Sequence, residues 1–114
     1  MRESKPVEDK ILATPLDLAE LVDYQDGSVV SRAIVDKEVG TVTIFAFDKG
    51  QKLSTHSAPF DALVQILDGR GLIIIEDKEF PLAAPAAIIM PAGKPHAVNA
   101  PEKFKMLLTM IREK

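Results

Sequence analysis

The sequence predicts an all-β fold of the sandwich or barrel type, and two observations carry this prediction. First, the chain from Ser28 onward consists of short segments rich in Val, Ile, Leu, Thr and Phe, separated by turn-forming residues. Many short strands at regular spacing are typical of sandwiches and barrels. Second, no segment repeats at a fixed period, which excludes a solenoid or a propeller. The length of 114 residues fits one domain and leaves no room for a second core.

The beginning of the chain differs in character from the rest. Residues 1–27 are expected to form an N-terminal arm, and residues 28–114 a β-barrel domain. The first dozen residues are polar and charged. A short helix is predicted over Thr14–Val22, because its first residue can cap a helix and the proline that follows suits the first helical position. The stretch LVDY at the end of this segment is equally compatible with a strand.

The barrel domain contains nine segments with strand character. They are SVVSRAIVD, GTVTIFAFD, QKLSTHS, ALVQILD, RGLIIIED, KEFPLA, AAIIMP, HAVNA and FKMLLTMI. Turn signals separate them, including one at Asp68–Gly71 between the fourth segment and the fifth. The last segment also has helical propensity. Its apolar residues Phe104, Met106, Leu108 and Met110 alternate along the chain, which favours a buried strand.

Composition excludes several classes of partner. The chain has no cysteine, so disulfides, thiolate metal sites and cysteine nucleophiles are excluded. The net charge is −3 with both signs interspersed, and aromatic residues are sparse, so we expect no nucleic-acid partner. The longest apolar stretch, Leu82–Ala92, is too short for a bilayer and contains prolines. The charged amino terminus is unlike a signal peptide. We expect a cytoplasmic protein without a membrane partner.

Two stretches around the two histidines resemble the signature motifs of the cupin superfamily. In the first, GQKLSTHSAPFDALVQILDG, the positions of Gly50, His56 and Gly69 match the motif. In the second, PAGKPHAVNA, the proline, the glycine and His96 match, while the asparagine comes one residue early. The resemblance covers roughly Val29–Ile111. It implies a double-stranded β-helix, the jelly-roll barrel, in agreement with the predicted strands.

The departures from the first motif bear on function. Cupins hold a metal with four side chains, and the resemblance assigns two of the four positions to His56 and His96. Ala58 and Ala62 stand where the family has its second histidine and its glutamate. Catalytic zinc usually has three protein ligands, and non-haem iron two histidines and a carboxylate. The resemblance therefore implies no certain cofactor, and at most a weakly bound divalent metal such as iron, manganese, nickel or zinc.

Asp61 is open to three interpretations. It lies one place before the missing glutamate, so strand alternation turns it outward unless Pro59 shifts the phase. It can complete a metal site with His56 and His96, accept a backbone hydrogen bond at the turn, or support His56 as a catalytic base. The last role resembles that of metal-free sugar epimerases of the superfamily. Their tyrosine acid has no counterpart here, because Tyr24, the one tyrosine, lies outside the motifs.

Two functions from different classes follow from this resemblance. The barrel interior is expected to form a ligand pocket with two polar anchors and four apolar residues, namely His56, His96, Ala58, Ala62, Val64 and Ile66. Such a wall suits a small, largely hydrophobic organic ligand, so we expect a ligand-binding cupin with a degenerate metal site. The alternative is a metal-dependent cupin enzyme of the dioxygenase or isomerase type, with a two-histidine site that Asp61 completes.

A third interpretation makes the barrel mainly a scaffold for dimerisation. Cupins commonly form dimers through their sheets and terminal strands. The segment SVVSRAIV would offer an uncovered strand edge for such an interface. We therefore expect a homodimer, with or without a ligand in the barrel.

Overall fold

The computed structural model describes residues 4–112. Two short 3₁₀ helices, Asp9–Ile11 and Leu18–Leu21, precede eight strands. The strands are β1 Val29–Lys37, β2 Gly40–Phe47, β3 Lys52–His56, β4 Ala62–Ile75, β5 Lys78–Ala83, β6 Ala87–Met90, β7 His96–Asn99 and β8 Phe104–Ile111. The predicted all-β class is confirmed, and the last segment is a strand. Within residues 4–112, no helix is long and apolar enough to cross a membrane.

The long strand β4 shows that the predicted turn at Asp68–Gly71 is wrong. The two segments around this turn form one strand of 14 residues. Its first half pairs with β6 and β8, and its second half pairs with β5 and β7. Gly69 has a φ of +73°, and a Cβ at Gly71 would lie 2.6 Å from the ring of Phe104. The glycines therefore allow a bend and a close ring contact inside a continuous strand.

Because β4 takes part in both layers, it joins them into a jelly-roll barrel. One layer has the order β1-β2-β8-β4-β6, the other has the order β5-β4-β7-β3, and all neighbours are antiparallel. Between the layers, the rings of Phe47 and Phe104 stack with centroids 4.6 Å apart. The same topology brings β3 and β7 side by side, so His56 and His96 become neighbours although they are 40 residues apart in the chain.

The arm before β1 packs on the outer face of the first layer, and the predicted helix over Thr14–Val22 is wrong. Only Leu18–Leu21 is helical, as a single 3₁₀ turn. The Thr14 hydroxyl donates to the carbonyl of Leu12, so it does not cap a helix. Val22 is extended and buried beside Ile44 of β2. Packing against the sheet, rather than helical propensity, therefore decides the conformation of this arm.

Tyr24 anchors the end of the arm. Its hydroxyl donates to Oδ2 of Asp68 over 2.6 Å, and the ammonium of Lys105 lies 4.9 Å from its ring centroid. Burial raises the pKa of Tyr24 above its ordinary value, and the hydrogen bond to the Asp68 carboxylate and the charge of that group raise it further. Tyr24 therefore holds the end of the arm against the outside of the barrel, and its hydroxyl remains protonated.

Candidate functional site

The two histidines of the chain form one cluster. His56 ends β3, His96 begins β7, and the two residues are direct partners in the antiparallel pairing. Their Nε2 atoms are 3.2 Å apart, and their ring planes meet at 71°. His96 also pairs with Ile75 of β4, so it lies inside the layer and is only 5% exposed. His56 lies on the edge strand and is exposed to solvent.

Backbone carbonyls orient both imidazole rings. Nδ1 of His56 lies 2.8 Å from the carbonyl oxygen of Ser54, and Nδ1 of His96 lies 3.3 Å from that of Lys94. A carbonyl oxygen only accepts hydrogen bonds, so these contacts assign the hydrogen of each neutral ring to Nδ1. Each Nε2 then presents a lone pair. While both rings are neutral in this form, the pair consists of two acceptors that face each other over 3.2 Å, and only a ring that gains a second proton can donate to the other.

The two rings differ in electrostatic environment. Burial lowers the pKa of His96 below its ordinary value, because the imidazolium form loses hydration inside the layer. A positive charge on His56 would lower the pKa of His96 further, whereas the hydrogen bond to the Lys94 carbonyl acts in the opposite direction. The neutral form of His96 is therefore favoured near neutral pH, and its Nε2 is available as an acceptor.

Asp61 does not join this pair. Its Oδ1 accepts a hydrogen bond from the backbone N–H of Ala92 over 2.8 Å. Nδ1 of His56 contacts Ser54, so the predicted support of His56 by Asp61 is wrong. Pro59 does not shift the strand phase, because Ala62 faces the core and Asp61 is exposed. Of the three interpretations, the structure matches the backbone hydrogen bond at the turn.

The four apolar residues of the predicted pocket lie in two different environments. Ala58 is half-buried in the loop before β4, where its carbonyl accepts the N–H of Gly93 over 2.8 Å. Ala62 is 2% exposed, and Val64 and Ile66 are completely buried in the hydrophobic core. Val64 and Ile66 therefore pack against other core side chains and do not line a space open to a ligand, contrary to the expected pocket. Two layers packed at ordinary density leave little room between them.

The donor set fits a metal only in part. Two nitrogens bound to one tetrahedral zinc ion lie about 3.3 Å apart, which is close to the Nε2 separation of His56 and His96. Contacts from Nδ1 to backbone carbonyls are also typical of ligating histidines. Among residues 4–112, however, no group of three His, Cys, Asp or Glu side chains is placed to hold an ion. In this arrangement Asp61 accepts the N–H of Ala92 and the described residues offer two ligands, so completion of the site by Asp61 stays a prediction.

Sequence reasoning missed Ser54 and Lys94, although their carbonyls set the orientation of the rings. Every residue has a backbone carbonyl, so the identities of these two residues carry no signal. The one regularity is positional, since each stands two residues before its histidine.

Comparison with known protein families gives a match that includes both histidines. The sequence model of the cupin domain matches residues 43–112, which is more than half of the chain. The chain belongs to the cupin superfamily. No curated protein is similar enough to this cupin to match it.

Solved structures agree with this assignment. A conserved protein of unknown function from Streptococcus pyogenes is 37% identical with a TM-score of 0.88, covering 100% of this chain and 97% of that one. A cupin superfamily protein from Desulfitobacterium hafniense is 27% identical with a TM-score of 0.86, covering 98% and 100%. A Cupin 2 conserved barrel domain protein from Leptotrichia buccalis is 43% identical with a TM-score of 0.83, covering 85% of this cupin and 47% of that chain.

Proposed function

We propose that this protein is a small-molecule-binding cupin in which Nε2 of His56 and Nε2 of His96 accept hydrogen bonds from one polar group of an organic ligand. One observation supports the proposal. Both Nδ1 atoms contact backbone carbonyls, which leaves the two Nε2 atoms, 3.2 Å apart, as acceptors. Two lone pairs at this distance repel each other, so a donor group shared by both nitrogens stabilises the arrangement.

The arrangement selects a chemical class of ligand. An ammonium group has several N–H donors and can donate to both nitrogens, and a hydroxyl can share its one O–H between them in a bifurcated bond. A carboxylate can only accept and is disfavoured while the rings are neutral. The exposed ring of His56 gives access, and the buried ring of His96 gives a fixed anchor. Because Val64 and Ile66 are packed in the core, the ligand binds where β7 meets the edge strand β3 rather than between the two layers.

Nuclear magnetic resonance of the imidazole nitrogens tests this proposal. At about pH 8, where free imidazoles are neutral, ethylammonium and phenol serve as donor probes and acetate as an acceptor-only probe. We expect a donor probe to shift both Nε2 resonances together, and acetate to shift neither. The exposed strand residue Glu79 offers a control, since Glu79→Gln should respond like the wild type. Shifts with acetate alone, or in one ring only, would contradict a shared donor site.

A second candidate function is that of a metal-dependent cupin enzyme, and the 3.2 Å separation of the two Nε2 atoms favours it. His56 and His96 would hold the ion, which when bound would act as a Lewis acid toward an oxygen-bearing substrate. Elemental mass spectrometry of untagged protein, after loading with single metals and dialysis, separates the two candidates. Near one equivalent retained, and lost in His96→Ala, would favour the enzyme. No retention would favour the organic ligand.

A further inference from the structure

An extra residue in β3 turns His56 toward His96. Leu53 lies opposite Val98, and His56 lies opposite His96, so β3 uses three positions where β7 uses two. Leu53 and Val98 both pack in the core. With regular alternation, a residue three positions after Leu53 would face away from the core. The irregularity acts as a β-bulge, and it brings the ring of His56 to the side of the layer on which His96 lies.

Beyond this bulge, strand pairing holds His56 less firmly than His96. His56 is the last residue of β3, and within residues 4–112 no strand pairs with β3 on its other side. His96 pairs with Ile75 of β4 as well as with His56. The residue before His96, Pro95, also accepts the N–H of Glu76 over 2.8 Å. The position of His56 therefore depends more on the contacts of the loop that follows it.

Two hydrogen bonds join the loop after β3 to the loop before β7. The carbonyl of Ala58 accepts the N–H of Gly93 over 2.8 Å. Oδ1 of Asp61 accepts the N–H of Ala92, also over 2.8 Å. The first bond involves backbone atoms alone, so any residue at the position of Ala58 can make it. The second bond needs a side chain with an acceptor oxygen, which makes Asp61 the member of this contact that a substitution can remove.

We propose that Asp61 is a positioning residue of the histidine pair. Its hydrogen bond to Ala92 holds the two loops together, and this keeps Nε2 of His56 3.2 Å from Nε2 of His96. A carboxylate makes a stronger bond to a backbone N–H than a neutral acceptor does, which suits an exposed position where water competes. The role rests on the proposed function, in which both nitrogens accept from one donor group. Asp61 itself contacts neither ring and acts through the loops.

Nuclear Overhauser effects between the two rings test this role without any ligand. The ring centroids of His56 and His96 are 4.4 Å apart, so we expect a clear effect in the wild type and a severalfold weaker one in Asp61→Ala. Asp61→Asn keeps an acceptor oxygen and should restore the effect. Asp48→Ala is the matched control, because Asp48 also accepts a backbone N–H, that of Gly27, but in the loop before β3. An undiminished effect in Asp61→Ala, or an equal loss in Asp48→Ala, would overturn the proposal.

Titration with the donor probes ethylammonium and phenol extends the test to binding. Asp61→Ala should raise the dissociation constant of a probe that binds the wild type about threefold to tenfold, the effect of one hydrogen bond. Asp61→Asn and Asp48→Ala should match the wild type, and circular dichroism melting curves check that every variant is folded. An unchanged affinity in Asp61→Ala would overturn the positioning role. A wild type that binds neither probe would contradict the proposed function alone, because the Overhauser effects then still decide whether Asp61 positions the rings.

Discussion

The two histidines make the same local contact in different surroundings. Each Nδ1 contacts the carbonyl two residues earlier, and each Nε2 faces the other ring. His96 lies between β3 and β4 and is 5% exposed, whereas His56 lies on the edge strand and is exposed. The difference separates two roles. In the proposed site, His96 would contribute to both stability and recognition, while His56 would contribute mainly to recognition.

The largest expected effect is on ligand binding, where the two histidines should behave alike. His56→Ala and His96→Ala each remove one of the two acceptors. Each variant should therefore weaken binding of the donor probe that shifts the wild-type rings by about tenfold or more, the loss of one hydrogen bond to a polar group. Titration followed by resonances of neighbouring backbone amides measures the dissociation constants. Loss of binding in only one of the two variants would show that the histidines do not act as one site.

The next effect is on stability, where the two histidines should differ. His96→Ala leaves a void inside the layer and should lower the free energy of unfolding by about 1–3 kcal/mol. His56→Ala changes an exposed side chain and should stay within about 0.5 kcal/mol. Urea denaturation of both variants beside the wild type measures the contrast. Equal losses of unfolding free energy in the two variants would contradict this difference between the histidines.

The pH dependence of stability sharpens the same contrast. Burial, reinforced by a charge on His56, lowers the pKa of His96, so the unfolded chain binds this proton more tightly than the folded protein. The contribution of His96 is therefore complete above the unfolded pKa of about 6.5, and it is lost as the pH falls toward the folded pKa. His96→Gln should flatten the curve of unfolding free energy in this window. If the unfolding free energy of His96→Gln changes with pH as steeply as that of the wild type, other groups cause the pH dependence.

The smallest effect is expected at Asp61. Asp61→Asn keeps an oxygen that can accept the N–H of Ala92, so stability should change by less than about 0.5 kcal/mol. Metal retention, measured by elemental mass spectrometry as for the wild type, should also stay the same. A variant that folds normally but loses a metal held by the wild type would restore Asp61 as a ligand.

Local patterns predicted the strands, and they failed where distant packing decides the outcome. Alternation in the last segment was sufficient to identify β8. The turn predicted at Asp68–Gly71 depended on two glycines whose real neighbours lie more than thirty positions later: Gly69 lies against the backbone of Lys103 and Phe104, and Gly71 lies against the Phe104 ring. The helix predicted over Thr14–Val22 failed because Val22 and its neighbours pack against β2. No pattern within a short window contains these contacts.

The candidate site also has features that the sequence motifs predict and features that depend on contacts between distant residues. The motif spacing identified His56 and His96, and the jelly-roll topology explains why they meet. The outward position of Asp61 follows from strand alternation, but its partner, the N–H of Ala92, comes from a distant loop. The packing of Val64 and Ile66 depends on both layers together. The orienting contacts are made by backbone atoms, which carry no sequence signal.

The protonation state of the two rings is the most direct test of the central claim, that the facing Nε2 atoms are both acceptors. Long-range nitrogen–proton correlation spectra of the wild type at about pH 8 distinguish the two neutral forms of each imidazole. We predict that His56 and His96 both carry their hydrogen on Nδ1, with Nε2 unprotonated. A hydrogen on Nε2 of either ring would contradict the account, because the two histidines would then satisfy each other and leave no acceptor pair for a ligand.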